Sequence, residues 1–406
     1  MRVAIISEWL DPWRGGAETS TLQFVHHLID SGVDVHVFTR SRPASAPGFT
    51  VHTINGAAVS RTRRSITFAH RVERRLSSER FDVTHAVTPC RGIDLYQPRG
   101  GTVAETIERN AAWLGSGAGL WLKRAGNQFN FKQRYMLRYE RAILGNSRGP
   151  VIVAISNYVV RQLRDHYGVS DDRIRLVRNA VNPDESSAVE RAAHRRTIRH
   201  EFGIAESDCL FLVVAHNFRL KGVRRWMEAM AKIRDAGACQ ARSLVIGKDD
   251  SPSWRRAADK LGLQNALTFV GSTNRVAEFY HAADTLVHPT YYDPCSRVVL
   301  EAMSAGLPCL ASRWDGASEI LTNDRDGLLI DDPNDVESIA KAAGRLLDPD
   351  TRRRLGECAA ATVSRMTMKR HASEIIVIYR ELIERRRETE AAARSRPDPI
   401  AAGHLQ

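Results

Sequence analysis

The chain has 406 residues, of which 43% are hydrophobic and 26% are charged, and this globular composition excludes disordered and collagen-like proteins. Its six cysteines are scattered without a Cys-x-x-Cys pair, which favours a reducing compartment and argues against structural zinc or a disulfide framework. No apolar run approaches the roughly 18 residues of a membrane span. Because Glu8 and Asp11 come too early for a signal-peptide core, we expect a cytoplasmic protein.

The net charge of +12 lies entirely in the first half of the chain. Residues 1–200 contain 30 Lys and Arg against 18 Asp and Glu, whereas residues 201–406 contain 29 of each sign. Residues 61–148 alone carry 17 basic and 7 acidic side chains. This asymmetry predicts different partners for the two halves, and the basic half suits nucleic acid, an anionic membrane surface or a strongly acidic substrate.

The first half opens with a βαβ pattern. An apolar strand at residues 3–7 is followed by a helical stretch at 17–30 and a second strand at 33–39. Apolar runs at 82–87 and 151–155 fit further strands of the same sheet. This alternation is typical of a parallel sheet with helices on its faces.

The second half repeats this alternation independently. Its strand-like runs lie at residues 210–215, 243–247, 267–270, 285–288 and 309–312, and its helical stretches at 222–236, 253–262, 274–283 and 297–305. The predicted fold class is therefore α/β, with two doubly wound domains that face each other across a cleft.

The polar stretch between the two patterns marks the domain boundary. We assign residues 1–184 to the first domain, 185–200 to a linker and 201–370 to the second domain. An apolar stripe predicts a terminal helix over residues 371–393. Residues 394–406 lack periodicity and are predicted to be a flexible tail.

Two loops follow predicted strands and directly precede predicted helices. Gly15 and Gly16 place backbone amides and a helix N-terminus where an anion could bind, although a plain tight turn explains a glycine pair equally well. Arg219 and Lys221 lie at a strand's carboxyl end, and two cations before a helix suit a diphosphate. A solvated basic loop is the alternative.

The most specific pattern lies in residues 288–303. Asp293 falls in a loop after a strand, and Glu301 lies one turn inside the following helix. The first backbone amides of that helix, at residues 297–299, could bind phosphate, while Glu301 could hydrogen-bond the vicinal hydroxyls of a sugar. Two exposed carboxylates favoured by the helix dipole are the alternative explanation.

Taken together, these segments resemble the retaining glycosyltransferases of family 4, which have the GT-B fold. The resemblance covers nearly the whole chain and rests on motifs that occur in family order: Gly15-Gly16-Ala17-Glu18, residues 155–181, Lys221-Gly222, Gly271, Val276, Ala282-Ala283-Asp284 and residues 293–308. Within the family, residues 92–96, 218–223 and 245–249 are similar to enzymes that add glucose to heptose in the lipopolysaccharide inner core.

The resemblance implies a Rossmann-like acceptor-side first domain, a Rossmann-like nucleotide-sugar-binding second domain and a terminal helix that returns to the first. It implies that Lys221, helped by Arg219, neutralises the donor diphosphate and that Asp293 contacts the transferred sugar. The other donor-binding positions that it implies are Gly15, Gly16, Gly271, Val276, Arg297, Val298, Val299 and Glu301.

The chain departs from the family pattern at three places that matter for catalysis. Asp293 replaces the usual glutamate, His216 replaces an arginine that commonly precedes the lysine, and the segment after Asn179 reads Ala-Val-Asn where the family usually has Gly-Val-Asp. In addition, no residue aligns clearly with the family's first-domain histidine or aspartate near the anomeric carbon; His85 is our candidate, and the Gly100-Gly101 region is another. We therefore predict Asp293, Lys221 and His85 as catalytic residues, although a lone histidine at a strand end is more often structural.

Retention of configuration at the anomeric carbon without an enzymic nucleophile fits a front-face reaction. In such a reaction the donor phosphate helps accept the acceptor's proton, and the protein stabilises the departing diphosphate. We therefore expect neither a metal nor another cofactor. Asp324 and Asp326 match the Asp-x-Asp pattern of metal-dependent glycosyltransferases, but they lie in a predicted turn that we interpret as solvated.

A basic aromatic segment lies in the first half. It supplies a predicted membrane or acceptor surface of Trp121, Lys123, Arg124, Phe129, Lys132, Arg134 and Arg138. Such a surface suits an anionic membrane, where each cation contributes about 1 kcal/mol, whereas RNA and an ordinary solvated helix are the alternatives. The resemblance favours the membrane, and because no RNA-binding module motif occurs, we expect no nucleic-acid partner.

The leading functional hypothesis is transfer of a hexose from a nucleotide sugar, UDP-glucose-like, to a lipopolysaccharide core or related glycolipid or polysaccharide. Its expected location is peripheral, on the inner face of the cytoplasmic membrane. A nucleotide-sugar epimerase of the same fold and a donor-binding protein without turnover are the alternatives.

Overall fold

The computed structural model describes residues 1–11, 15–41, 48–56, 61–115 and 130–394. Within these ranges the chain forms two parallel β-sheets, each covered by helices. The predicted α/β class with two doubly wound domains is confirmed. The long terminal helix also packs against the first domain, as predicted.

The first domain is built on seven parallel strands. They are β1 (Arg2–Ile6), β2 (Asp34–Thr39), β3 (Thr50–Thr53), β4 (Val83–Ala86), β5 (Leu95–Tyr96), β6 (Val151–Ala154) and β7 (Ile174–Leu176). Their order in the sheet is β3-β2-β1-β4-β5-β6-β7. The accompanying helices are α1 (Gly16–Asp30), α2 (Arg61–Leu76), α3 (Val103–Arg109), α4 (Phe131–Leu144) and α5 (Asn157–Tyr167). Strands such as β1, buried along almost their whole length, follow from helices on both faces of a parallel sheet.

The second domain contains a six-stranded parallel sheet. Its strands are β8 (Cys209–Val214), β9 (Ala241–Ile246), β10 (Leu267–Gly271), β11 (Thr285–His288), β12 (Cys309–Ser312) and β13 (Gly327–Ile330). They lie in the order β10-β9-β8-β11-β12-β13. The helices are α6 (Ala188–Glu201), α7 (Val223–Asp235), α8 (Pro252–Asp259), α9 (Val276–Ala282), α10 (Arg297–Ser304), α11 (Val336–Arg345) and α12 (Pro349–Val363).

The segment predicted as a linker, residues 185–200, is largely the ordered helix α6. It starts with a capping box, in which Ser187 and Glu190 satisfy each other's backbone N–H groups. Arg199 is only 2% exposed and lies 2.5 Å from Asp284 Oδ2. Because a buried arginine needs such a partner, this ion pair fixes α6 to the second domain. The chain's connection between domains is correspondingly shorter than predicted.

Helix α13 (Met368–Arg394) carries the chain back to the first domain. Its apolar stripe includes Ile375 and Tyr379, which are fully buried in the same core as β1 and α1. At its far end Arg386 Nη2 donates to Asp94 Oδ1 at 2.5 Å. The predicted tail, residues 394–406, lies outside the described residues except for Arg394, the last residue of the helix. No described helix combines the length and apolarity needed to cross a membrane.

The two domains meet through hydrogen bonds at the carboxyl ends of their sheets. Ser156 Oγ donates to Pro294 O at 2.6 Å, and Asn179 Nδ2 donates to Cys295 O at 2.9 Å. Ser156 also caps α5 by accepting from the backbone N–H of Val159. These contacts hold the loop that carries Asp293 against the first domain.

Candidate active site

A cavity of about 1220 Å³ lies between the carboxyl ends of the two sheets. This is where ligands bind in open α/β sheets. The cavity brings together eight of the residues predicted from sequence: Gly15, Gly16, Lys221, Val276, Asp293, Arg297, Val298 and Glu301.

Lys221 and Asp293 form an ion pair in the wall of this cavity. Lys221 Nζ lies 2.5 Å from Asp293 Oδ2 and donates to Tyr292 O at 3.1 Å. Burial raises the pKa of Asp293, but the charge of Lys221 and the nearby imidazole of His288 outweigh burial and hold that pKa well below its usual value. The carboxylate is therefore ionised at neutral pH, and it orients the ammonium group that faces the cavity.

Gly222 makes the position of Lys221 possible. Its φ of 71° is in the left-handed region, and a Cβ atom there would lie 2.1 Å from Pro289 O. Gly222 is also the N-cap of α7, so the turn ends where the helix begins. The Lys-Gly pair recognised in the sequence thus has a steric explanation.

A second carboxyl group lies behind the first. His288 Nε2 lies 3.8 Å from an oxygen of both Asp293 and Asp315. Asp315 is fully buried, and its pKa is raised by burial first and by the charge of Asp293 second. It accepts from the backbone N–H and the hydroxyl of Ser296 at 2.9 and 2.5 Å. Asp315 therefore anchors the start of α10.

Two helix N-termini point towards the cavity. Helix α1 begins after Gly15, and α10 begins after Ser296; neither N-cap makes a side-chain capping bond within the described chain. Their first backbone N–H groups are consequently available to an anion, and both helix dipoles favour negative charge there. A Cβ on Gly16 would lie 3.3 Å from Arg297 Cδ, so the two helices approach closely at this point.

Glu301 is oriented by its neighbours. Arg297 Nη2 donates to Glu301 Oε1 at 2.9 Å, and the Tyr280 hydroxyl donates to Oε2 at 3.1 Å. Arg297 Nη1 also donates to Gln23 Oε1 in the first domain at 2.8 Å. A fixed carboxylate at the cavity wall is an acceptor suited to sugar hydroxyls.

Three predicted donor-binding residues do not line this cavity, as far as its described walls extend. Val299 is fully buried in the core, and Gly271 ends β10 with a φ of 80°, while Ser272 and Thr273 beside it face the cavity. Arg219 lines a separate cavity of about 740 Å³, where its guanidinium carbon lies 4.6 Å from the ring centroid of Trp113. The predicted cooperation between Arg219 and Lys221 is therefore not seen.

His85 does not reach the cavity through any of its described contacts, which corrects its assignment as a catalytic candidate. The side chain is fully buried, and its Nδ1 lies 2.6 Å from the Tyr379 hydroxyl on α13. Burial, followed by the charge of Arg99, lowers the pKa of His85 well below its usual value. The imidazole is a neutral core group that joins β4 to the terminal helix.

Comparisons with known proteins identify the family. The model of Glycosyltransferase Family 4 matches residues 14–185, and that of Glycosyl transferases group 1 matches residues 194–362. The chain is a GT-B glycosyltransferase. Over 334 residues it is 23% identical to the lipopolysaccharide glucosyltransferase WaaG of Escherichia coli (strain K12), covering 82% of this chain and 86% of WaaG.

Solved structures support the same fold for this glycosyltransferase. The crystal structure of WaaG gives a TM-score of 0.79 at 22% identity and covers 93% of this chain and 99% of that one. Anabaena HepE in complex with UDP and glucose gives 0.71 at 16% identity, with 94% and 100% covered. A D-inositol 3-phosphate glycosyltransferase of Acidothermus cellulolyticus (strain ATCC 43068 / DSM 8971 / 11B) is 31% identical over 238 residues, covering 56% of this chain and 52% of that protein.

Arg99 is a cavity residue of the glycosyltransferase that the sequence interpretation missed. It contacts Gln97 and Ser20, and its guanidinium carbon lies 5.4 Å from the ring centroid of Phe24. No described residue accepts a hydrogen bond from its buried Nη2. Burial first and then the charge of Arg297 lower its pKa to about 9. In the sequence Arg99 could be recognised only as a cation shortly after a strand, and β5, with two residues, is too short to be predicted from the pattern.

Metal-binding geometry in the glycosyltransferase is found away from the cavity. Among the described residues one group, Glu105, Glu108 and His166, has ligand atoms close enough for an ion. Asp324 pairs with arginines, whereas Asp326 is 1% exposed and accepts from the backbone N–H of Thr322 at 2.6 Å. The Asp-x-Asp turn is therefore partly buried, not fully solvated as we had interpreted it.

The predicted membrane surface is only partly covered by the structure. Trp121, Lys123, Arg124 and Phe129 lie outside the described residues. Lys132, Arg134 and Arg138 lie on the exposed side of α4, beside Phe131, which is 83% exposed. The other side of α4 is buried in the first domain.

Proposed function

We propose that this glycosyltransferase moves a hexose from a nucleotide sugar, UDP-glucose-like, to a lipopolysaccharide core or related glycolipid or polysaccharide, with retention of configuration. The observation that carries the proposal is the Lys221–Asp293 pair in a cavity towards which two helix N-termini point. That arrangement suits a ligand with a strongly anionic group and a neutral sugar beside it.

The donor diphosphate would lie between the two helix N-termini. Lys221 and Arg99 supply cations from opposite domains, and the first amides of α10 add hydrogen-bond donors. Glu301 would accept hydrogen bonds from the ribose hydroxyls, because its carboxylate is already oriented. Val276, with Ser272 and Thr273, would border the base.

Catalysis would consist mainly of stabilising the departing diphosphate. Charge grows on the leaving phosphate as the glycosidic bond breaks, so preorganised cations and amides bind the transition state more tightly than the ground state. The leaving phosphate would accept the acceptor's proton on the same face of the sugar. Asp293 would contact the transferred sugar. These groups need no metal, and metal independence is part of the proposal.

The acceptor would approach from the first domain and the membrane. WaaG, a relative, is named as a lipopolysaccharide glucosyltransferase, which supports a glycolipid acceptor. The exposed cations of α4 would attach the enzyme peripherally to the anionic inner face of the cytoplasmic membrane, adding about 1 kcal/mol each. Co-sedimentation with anionic and neutral liposomes tests this attachment, and equal binding to both would refute it.

The donor is tested by thermal unfolding with UDP, UDP-glucose and the corresponding GDP- and ADP-sugars. UDP-glucose should raise Tm by mass action, and Lys221→Ala should abolish the shift, whereas Lys341→Ala on the exposed side of α11 should not. The absence of a Tm shift with every nucleotide and nucleotide sugar would refute the proposal. Incubation of UDP-glucose without acceptor separates the alternative of an epimerase, which would interconvert the sugar by itself.

A further inference from the structure

The second cavity, of about 740 Å³, lies between the domains. The first domain contributes Asn110 and Trp113, and the second contributes Arg219, Asp249 and Trp254. His216 lines both this cavity and the larger one. The two spaces therefore share a wall, and a ligand in one is adjacent to a ligand in the other.

Arg219 is the cation of this cavity that is open to an anion. It is exposed, and no carboxylate of the described chain lies within ion-pair distance of it. The face of its guanidinium lies against the Trp113 ring. The N–H groups at the edge of the guanidinium can therefore pair with two oxygens of one anion. Arg224, in the same wall, is held by Glu228 at 2.8 Å and is less available.

The remaining groups suit a sugar. The indole rings of Trp113 and Trp254, one from each domain, offer apolar faces on which the C–H face of a pyranose can pack. Asn110 and Asn217 also line the cavity; Asn217 Oδ1 accepts from the backbone N–H of Leu220 at 3.1 Å, and its NH₂ group can donate to a sugar hydroxyl. Asp249 Oδ2 accepts from the backbone N–H of Phe218 at 3.0 Å, which fixes the loop that carries Arg219.

We propose that this cavity is a subsite for a phosphorylated sugar unit of the acceptor, with Arg219 binding the phosphate and the two tryptophans holding the ring. The inference rests on the proposed glycosyl transfer and adds a substrate feature to it. Because the cavity walls come from both domains, an acceptor bound here contacts both at once. The subsite thus selects acceptors whose sugar next to the reacting one carries a phosphate.

The test uses the full-length protein and isothermal titration calorimetry with glucose 6-phosphate, glucose and inorganic phosphate as probes. Glucose 6-phosphate should bind more tightly than either fragment, because only it meets both the arginine and the tryptophans. Arg219→Gln should weaken glucose 6-phosphate binding about tenfold or more. Trp113→Ala should weaken glucose 6-phosphate but not phosphate. Lys341→Gln, which removes one exposed charge elsewhere, is the matched control.

Several results would overturn the inference. Binding of phosphate as tight as glucose 6-phosphate would reveal a simple anion site, and equal binding by Arg219→Gln and Lys341→Gln would remove Arg219 from any site. Measuring the UDP-induced Tm shift of the wild type in parallel distinguishes failure of the subsite from failure of the proposed donor function. If that shift is present while glucose 6-phosphate fails to bind, only the subsite is wrong; if the shift is absent, the proposed donor function fails.

Discussion

The two domains of this glycosyltransferase contribute to the cavity in different ways. The second domain supplies charged side chains, Lys221, Asp293 and Glu301, each fixed by a partner in its own domain. Among the described cavity residues, the first domain supplies backbone at Gly15 and Gly16, uncharged polar side chains such as Gln23 and Asn179, and the cation Arg99. The difference indicates that the second domain's share of the cavity is largely preformed, whereas the position of Arg99 depends on the core behind it in the first domain.

The largest effect is expected at the centre of the second domain. Lys221→Ala should lower the transfer rate about 100- to 1000-fold, because the mutation removes a preorganised cation from the departing diphosphate. The measurement is kcat with UDP-glucose, with Lys341→Ala as the control. Comparable rates for the two variants would show that the second domain does not carry the charge stabilisation.

The next effect concerns the turn that positions Lys221. Gly222→Ala should reduce the free energy of unfolding by about 2 kcal/mol or more, since it combines a positive φ with a clash against Pro289 O. Urea unfolding measures this. Gly344→Ala is the contrast: Gly344 is in helix α11, and no described atom crowds its Cβ position, so it should gain about 0.5–1 kcal/mol. A neutral Gly222→Ala would mean that the turn is not strained.

The first domain is tested through its cation. Arg99→Gln should lower kcat/KM about 10- to 100-fold, because one charged hydrogen bond to the anionic substrate is lost. Arg74→Gln, on the exposed side of α2, removes the same charge without touching the cavity and should have wild-type kinetics. If Arg99→Gln retains full activity, the first domain contributes no charge to the reaction, and the contrast between the domains becomes sharper.

The smallest effect is a pH dependence of stability at the back of the first domain. His371 is buried, and burial first and the charge of Arg99 second lower its pKa to about 3. The folded state therefore keeps it neutral while the unfolded state takes up a proton below about pH 6.5, so its contribution to stability is lost as pH falls from 6.5 towards 3. The loss should reach about 1.4 kcal/mol at pH 5.5.

The variant His371→Gln isolates the contribution of His371 to the pH dependence of stability. Its stability should be lower at pH 7, because the bond to Arg178 O is weakened or lost. Its further loss between pH 7 and pH 5.5 should, however, be smaller than that of the wild type, in urea unfolding at both values. An identical pH slope for the two proteins would show that His371 takes up protons equally in the folded and unfolded states.

How far the sequence predicted the site depends on where each residue lies along the chain. Lys221 follows the six-residue β8, Asp293 follows the four-residue β11, and both precede helices, so their position at the sheet edge could be inferred from the pattern alone. Arg99 follows a two-residue strand with no pattern of its own. His85 is the last but one residue of β4, but its side chain is covered by a helix almost three hundred residues later, a contact that local pattern does not encode.

The same limit explains the error on Arg219. Its spacing from Lys221 is correct for a shared site, yet the turn at Gly222 directs the two side chains into different cavities. The partner of Arg219, Trp113, belongs to the other domain and to a turn that sequence spacing does not connect with it. The linker was misjudged for a related reason: the polar surface of α6 concealed one buried ion pair, Arg199 with Asp284.

Helix α13 has a consequence for the order in which the molecule is made. Met368, Ala372, Ile375 and Tyr379 complete a core whose other members come from the first 180 residues. During synthesis the first domain therefore leaves the ribosome with an open apolar groove, which stays uncovered until the whole second domain has been translated. Helix α13 thus closes a core whose strands are translated long before it, and a ribosome stalled before residue 368 would hold an unfinished first domain beside a complete second one.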